Sequence, residues 1–253
     1  MIIALTSQGA SPGVTTLASL LGWLWPASDA RRRFVVEADP TGGVIAARWH
    51  AAHGLTNEPG LVDLAAAQAH ATAVDLASLA QPLADGFAVI PAPPRPEPCG
   101  ASLRALNERG ADALAASDDV VIVDGGRFSP TSPALGLLAR AEVVIAVGRP
   151  RLEEIQRIPS LAAELRSLRP VVDLVTVGSD PYDPSEMAAH VDLPLLGVVA
   201  DDPRAADGVR VDGLAGKRLA RSDLARSVGA IAGRLAARTA LPSSAVAESG
   251  GTA

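Results

Sequence analysis

Residues 7–16 read SQGASPGVTT and follow the short apolar run MIIALT at residues 1–6. Gly9 and Gly13 bracket small residues, and Thr15 and Thr16 open a stretch with Leu17, Leu20, Leu21 and Leu24 at helical spacing. A strand that turns through glycines into a helix start is where open parallel sheets bind ligands. Its backbone N–H groups converge on one point and favour an anion there. The general phosphate-loop pattern asks for Gly, four residues, then Gly-Lys-Ser/Thr. Here Val14 holds the lysine position.

Similar apolar runs recur along the chain. Residues 34–38 (FVVEA), 87–90 (FAVI), 120–124 (VVIVD), 142–147 (EVVIAV), 171–177 (VVDLVTV) and 195–199 (LLGVV) are short and bounded by Gly, Pro, Asp or Ser. Continuous rather than alternating hydrophobicity suits a parallel sheet covered on both faces. Helical periodicity fills the intervals, with Ile155, Ile158, Ala162 and Leu165 in residues 152–168. Leu224, Val228, Ile231 and Leu235 do the same in residues 222–239. The alternation predicts a doubly wound, mainly parallel α/β sheet of seven to eight strands with helices on both faces. Residues 1–240 are expected to form it as one domain. Residues 91–98 (PAPPRPEP) read as an extended surface loop, and residues 241–253 as a disordered polar tail.

The 253 residues are 48 % hydrophobic and 20 % charged, enough for a full core and unlike a disordered chain. Aromatics are only 3 %, so Ala, Leu and Val do the packing. A net charge of −6 argues against the nucleic-acid backbone as main partner. Cys99 is the only cysteine, which excludes an internal disulfide and a multi-cysteine metal site; it reads as a surface or semi-buried thiol. No apolar run reaches the roughly 20 residues that span a bilayer, and residues 1–7 lack a basic leader. A cytoplasmic protein is expected, with peripheral membrane association left open. Lys217 is the only lysine.

The order strand, SQGASPGVTT, strand, EADP, strand, VIVDGG resembles the ParA/MinD superfamily of deviant Walker ATPases. The family loop runs Lys-Gly-Gly-x-Gly-Lys-Thr-Thr. Gly9 then stands at its signature lysine and Val14 at its phosphate-loop lysine. Ala10 and Ser11 replace two glycines, Pro12 takes the variable position, and Gly13, Thr15 and Thr16 match. Asp39 falls at the switch I aspartate and Asp124 at the switch II aspartate, and residues 193–204 (LPLLGVVADDPR) resemble the segment over the base. The resemblance implies ATP and Mg²⁺ as cofactors, Gly9 through Thr16 as the cradle, and Thr15, Asp39 and Asp124 around the metal. Asp39 and Asp124 are the catalytic carboxylates by the same analogy. It also implies protein partners and a nucleotide-bridged homodimer.

Both lysines are missing, and a charge-assisted hydrogen bond is worth roughly 1.5–3 kcal/mol. Losing one weakens binding by about one to two decades. Pro12 contributes no N–H either. Nucleotide binding is therefore expected to be weak or absent and hydrolysis poor. Arg127, three residues after Asp124, is the candidate replacement for the missing charge. The expected function is a positioning or regulatory protein that docks partners in a septum, polar or secretion/pilus assembly. An active Mg-ATP switch that dimerises on ATP is the alternative, and a DNA-binding partition protein is a further one. The last draws on eight basic residues from Arg204 to Arg238, against Asp207, Asp212 and Asp223.

Other signals carry less. A short-chain dehydrogenase loop, with Glu37 as its ribose acid, needs tyrosine and lysine four apart, whereas Tyr182 and Lys217 are 35 apart. His50 and His53 have i,i+3 spacing, but no Cys or carboxylate clusters with them, so all four histidines read as surface residues.

Overall fold

The computed structural model describes residues 1–9, 12–70, 74–84, 86–108, 114, 117–168, 171–214 and 217–240. The polar tail expected at residues 241–253 lies outside them. The strands are β1 (Ile2–Ser7), β2 (Arg33–Glu37), β3 (Gln81–Ala84), β4 (Phe87–Ile90), β5 (Val120–Arg127), β6 (Val143–Gly148), β7 (Val172–Val177) and β8 (Leu195–Val199). They form one eight-stranded sheet in the order β3-β4-β2-β5-β1-β6-β7-β8. All neighbours are parallel except β3 and β4.

The strand period sorts side chains between two cores. Ile2 and Ala4 of β1 join one buried cluster, and Ile3 and Leu5 the other. The first lies under helices α3 (Leu61–His70), α4 (Pro96–Glu108), α5 (Leu135–Arg140), α6 (Leu152–Leu168) and α7 (Pro184–Val191). The second lies under α1 (Val14–Trp23), α2 (Ile45–His53), α8 (Pro203–Asp212), α9 (Lys217–Ala220) and α10 (Asp223–Ala240). Because β1 sits between β5 and β6, the chain leaves it toward β2 on one side and later returns to its other side. That reversal opens a crevice at the carboxyl ends of the central strands.

The expected seven to eight strands are eight, and the one without a continuous apolar run, β3, is an antiparallel edge strand holding Pro82, in keeping with the restriction of proline to sheet edges. Two expectations are corrected. Residues 91–98 are not an extended surface loop, because Pro91, Ala92 and Pro93 are buried and α4 begins at Pro96. Proline is tolerated in a helix's first turn, where its missing N–H has no partner to lose. Cys99 is neither exposed nor semi-buried: it is fully buried, its Sγ donates to the Asp39 carbonyl at 3.1 Å, and burial pushes the thiol up to about 12. No helix among the described residues is long and apolar enough to cross a membrane.

Candidate functional site

The loop after β1 enters α1 through Gly13, whose φ of +101° is in the left-handed region that favours glycine. Among the described residues no side chain caps this helix, and no acid lies in its first turn. Leu17 N–H is the donor to Gly13 O at 2.8 Å, so the amides of the first turn face outward. They face a cleft of ≈ 550 Å³ lined by Ser7, Gly13, Val14, Thr15 and Thr16 from the loop and α1. Glu37, Asp39, Arg48, Arg127 and Arg210 line it from elsewhere. An adjoining cleft of ≈ 280 Å³ shares Gly13, Thr16 and Arg210, adds Pro12, and runs to the ends of β7 and β8. The Arg149–Asp201 ion pair, 2.7 Å long, lies along its wall.

Register explains why the acids meet. Leu5 and Glu37 both pair with Asp124 across β5, which puts Glu37 and Asp124 on the sheet face covered by α1. Ala38 N–H donates to Asp124 O at 2.8 Å, which fixes Asp39 one residue beyond. The β1–β5 ladder slips between Leu5 and Ser7, and β5 bulges through Gly125 and Gly126. Gly126 has φ +59°, and a Cβ there would lie 2.2 Å from Asp39 Cγ. The bulge therefore lets the Asp39 carboxylate lie directly on the β5 backbone.

The three carboxylates have different tasks. Glu37 is 1 % exposed and accepts from three amides, Val44 at 2.6 Å, Ile45 at 3.0 Å and Ala92 at 3.0 Å. Burial pushes its carboxyl up to about 7 despite those bonds. Asp39 Oδ1 holds a turn, accepting from the Thr41 amide and hydroxyl at 2.9 and 2.7 Å. Asp124 is fully buried, and its Oδ1 accepts from Gly126 N–H at 3.1 Å. Its Oδ2 has no hydrogen-bond partner among the described residues. Burial pushes this carboxyl up to about 6, and Thr15 beside it acts in the opposite direction.

A buried carboxylate oxygen left without a hydrogen bond, next to a threonine of the first α1 turn, suits Mg²⁺ or its bound water. Mg²⁺ takes one or two carboxylates and completes its shell with waters and phosphates. Thr15, Asp124 and Asp39 could hold it on those terms. With Glu37 engaged by amides, no self-sufficient cage exists: among the described residues no group of three or more His, Cys, Asp or Glu could hold a metal. His50 and His53 do not supply one either. His50 Nδ1 meets the Leu55 carbonyl at 2.8 Å, and His53 is not a surface residue but half-buried, its Nε2 accepting from Leu214 N–H at 3.3 Å.

Of the cradle residues read from the sequence, Pro12, Gly13, Val14, Thr15, Thr16 and Arg127 line one cleft or the other. Ala10 and Ser11 lie outside the described residues. Gly9 packs against Glu154 of α6. Arg48, Arg210 and Glu154 carried no local signal, since only the tertiary fold brings α2, α6 and α8 to the loop. Glu37, the ribose acid of the dehydrogenase loop pattern, is instead bound by the Val44, Ile45 and Ala92 amides.

The sequence matches no protein-family model and no curated protein. Solved structures do match. A MinD cell-division ATPase of Pyrococcus furiosus is 17 % identical over 94 % of this chain and 98 % of its own, with a TM-score of 0.75. A ParA family ATPase of Chlorobium tepidum is 15 % identical over 91 % and 98 %, with a TM-score of 0.74. The chain has the fold of the ParA and MinD ATPases. A third match, the septum site-determining MinD of Pyrococcus horikoshii, was solved with Mg-ADP; it is 18 % identical over 92 % and 95 %, with a TM-score of 0.72.

Proposed function

We propose that this ParA/MinD-like chain is a cytoplasmic positioning or regulatory protein, folded as one domain over residues 1–240. Its cleft takes Mg-nucleotide weakly and turns it over slowly, and its output is the docking of protein partners. The observation that carries this reading is Asp124 Oδ2, a buried carboxylate oxygen left without a hydrogen bond in good geometry, with the Thr15 hydroxyl of the first α1 turn close to the same carboxylate. A chain with no use for the site would gain by replacing that group, because an unsatisfied buried acceptor costs about 1–3 kcal/mol. The fold and the Mg-ADP complex of the P. horikoshii neighbour support a nucleotide as the ligand.

Thr15 and the two aspartates would hold Mg²⁺, which supplies charge neutralisation at the phosphates when bound. The chain's own residues do the rest. The α1 amides bind the anion, Gly13 permits the approach, and Arg127 brings a guanidinium to the cleft wall. Neither Val14 nor Gly9 offers a cation, so transition-state charge is met less fully than ground-state binding requires. Slow turnover follows, and a slow switch suits recruitment. Septum, polar and secretion/pilus assemblies are the settings in which such docking would act.

Calorimetric titration with Mg-ATP and Mg-ADP, alongside phosphate release, tests this. Micromolar-to-millimolar binding with turnover far below one per minute is the expected result. Brisk Mg-dependent hydrolysis favours the switch enzyme instead, and no binding at millimolar nucleotide removes the site reading altogether. A partition role through DNA has less support, because Arg226 and Arg238 of the basic segment are paired with Asp223 and Asp173.

A further inference from the structure

The geometry points to Arg48, with Arg210 beside it, as the source of the phosphate charge that the loop itself lacks. The cleft would thus take a nucleoside triphosphate with its polyphosphate clamped from the α2–α8 side. This rests on the nucleotide reading of the cleft and names the residues that make that reading workable.

Both guanidinium-bearing residues line the cleft together with Thr15 and Thr16, and both line the narrow space where α2 meets α8. Arg48 is half-buried, and burial and then the Arg210 charge disfavour its cationic form, while Glu37 and Asp124 favour it. It has no ion-pair partner among the described residues, and Arg210 has an exposed contact to Asp207 at 3.0 Å. Two like charges converging at a partly desolvated cleft are unfavourable unless an anion lies between them. Planar guanidinium groups suit phosphate oxygens in two-point contact, which a single ammonium does not reproduce.

The pair is also held in place. Trp49, next to Arg48 and 2 % exposed, donates from Nε1 to Val209 O at 2.7 Å, beside Arg210. Glu37 fixes the start of α2 through the Val44 and Ile45 amides. Arg48 therefore reaches the cleft from a helix tied at its start to the sheet and along its length to α8. Pre-set cations of this kind lose less freedom on binding than mobile surface arginines.

The test is calorimetric titration of Mg-ATP, Mg-ADP, AMP and inorganic tripolyphosphate into wild type, R48Q, R48K and R210Q. R48Q is expected to weaken Mg-ATP and tripolyphosphate at least tenfold while changing AMP less than twofold. R48K should recover part of the loss, and the dependence of affinity on salt should flatten in R48Q. Thermal melts check that each variant is folded; if R48Q is not, R48K and R210Q read the same triphosphate-to-monophosphate ratio. Wild type that binds Mg-ATP together with variants that bind it within twofold overturns the Arg48 assignment and leaves the nucleotide reading standing. A wild type that binds none of the four ligands overturns both.

Discussion

Glu154 occupies the volume that a side chain on Gly9 would fill: a Cβ at position 9 would fall 1.6 Å from Glu154 Oε1. The carboxylate is 6 % exposed, its Oε2 has no hydrogen-bond partner among the described residues, and burial raises its pKa. The position that the ParA/MinD resemblance gives to a lysine is thus packed from within the chain by an acid. G9A is expected to destabilise the protein by no more than about 1 kcal/mol, the low end for overfilling a packed site, because only the far end of the Glu154 side chain has to move aside. Removing the acid makes room, so G9A/E154A should be less destabilised than G9A. Urea unfolding of wild type, G9A, E154A and G9A/E154A checks this; additive effects of the two changes would mean that the contact is not the constraint.

Asp124 predicts a divergence between stability and binding. In D124N an amide replaces the buried carboxylate, so the desolvation that raises its pKa disappears. The variant should melt at or above the wild-type temperature in metal-free buffer. It should also lose the Mg²⁺-dependent part of nucleotide affinity. A D124N protein that melts lower yet keeps Mg-dependent binding would assign Asp124 a packing role.

The sheet was legible because its strands are buried on both faces and therefore apolar without interruption, as in VVIVD and EVVIAV. QPLA of β3 was not, since an exposed antiparallel edge leaves no such run. The start of α4 was hidden by Pro96 and Pro98, which look like loop punctuation but sit in the first helical turn. Gly13 and Thr15 in the turn from β1 to α1, Asp39 after β2 and Asp124 within β5 could be placed because each belongs to a strand or to the segment that follows it, where chain order and spatial order agree. Arg48, Arg210 and Glu154 are brought to the loop by helix packing on the sheet, and no local spacing announces that.

Glu37 sets a pH dependence. Its carboxyl is raised from an ordinary value of 4.5 to about 7, and that of Asp124 from 3.8 to about 6. Between the unfolded and folded values the native state holds more protons than the unfolded chain, so stability falls as pH rises from about 4 to about 7. His53 acts in the opposite sense, because burial lowers its pKa below the usual 6.5. The informative comparison is therefore wild type against E37Q at each pH. E37Q keeps an acceptor for Val44 and Ile45 but sets an amide against Ala92 N–H, a loss of about 1 kcal/mol. It should melt below wild type at pH 5 and close that gap by pH 8. A constant gap across the range would show that Glu37 does not titrate there.

Val14 allows the missing charge to be put back where the phosphate-loop pattern expects it. The residue is 5 % exposed and packs with Leu17 and Leu21 in the core, yet it also lines the cleft. In V14K the ammonium must leave the core for the cleft, where it meets Arg48 and Arg210. The free protein should therefore melt lower than wild type, through lost packing and added like charge. A bound triphosphate reverses the second effect, so the rise in melting temperature on adding Mg-ATP should exceed that of wild type, with affinity up roughly tenfold. The same lysine should restore triphosphate binding to R48Q, because the cleft needs a cation facing the phosphates more than it needs one from a given helix. A V14K protein with a lowered melting point and no larger response to Mg-ATP would place the lysine outside the phosphate path.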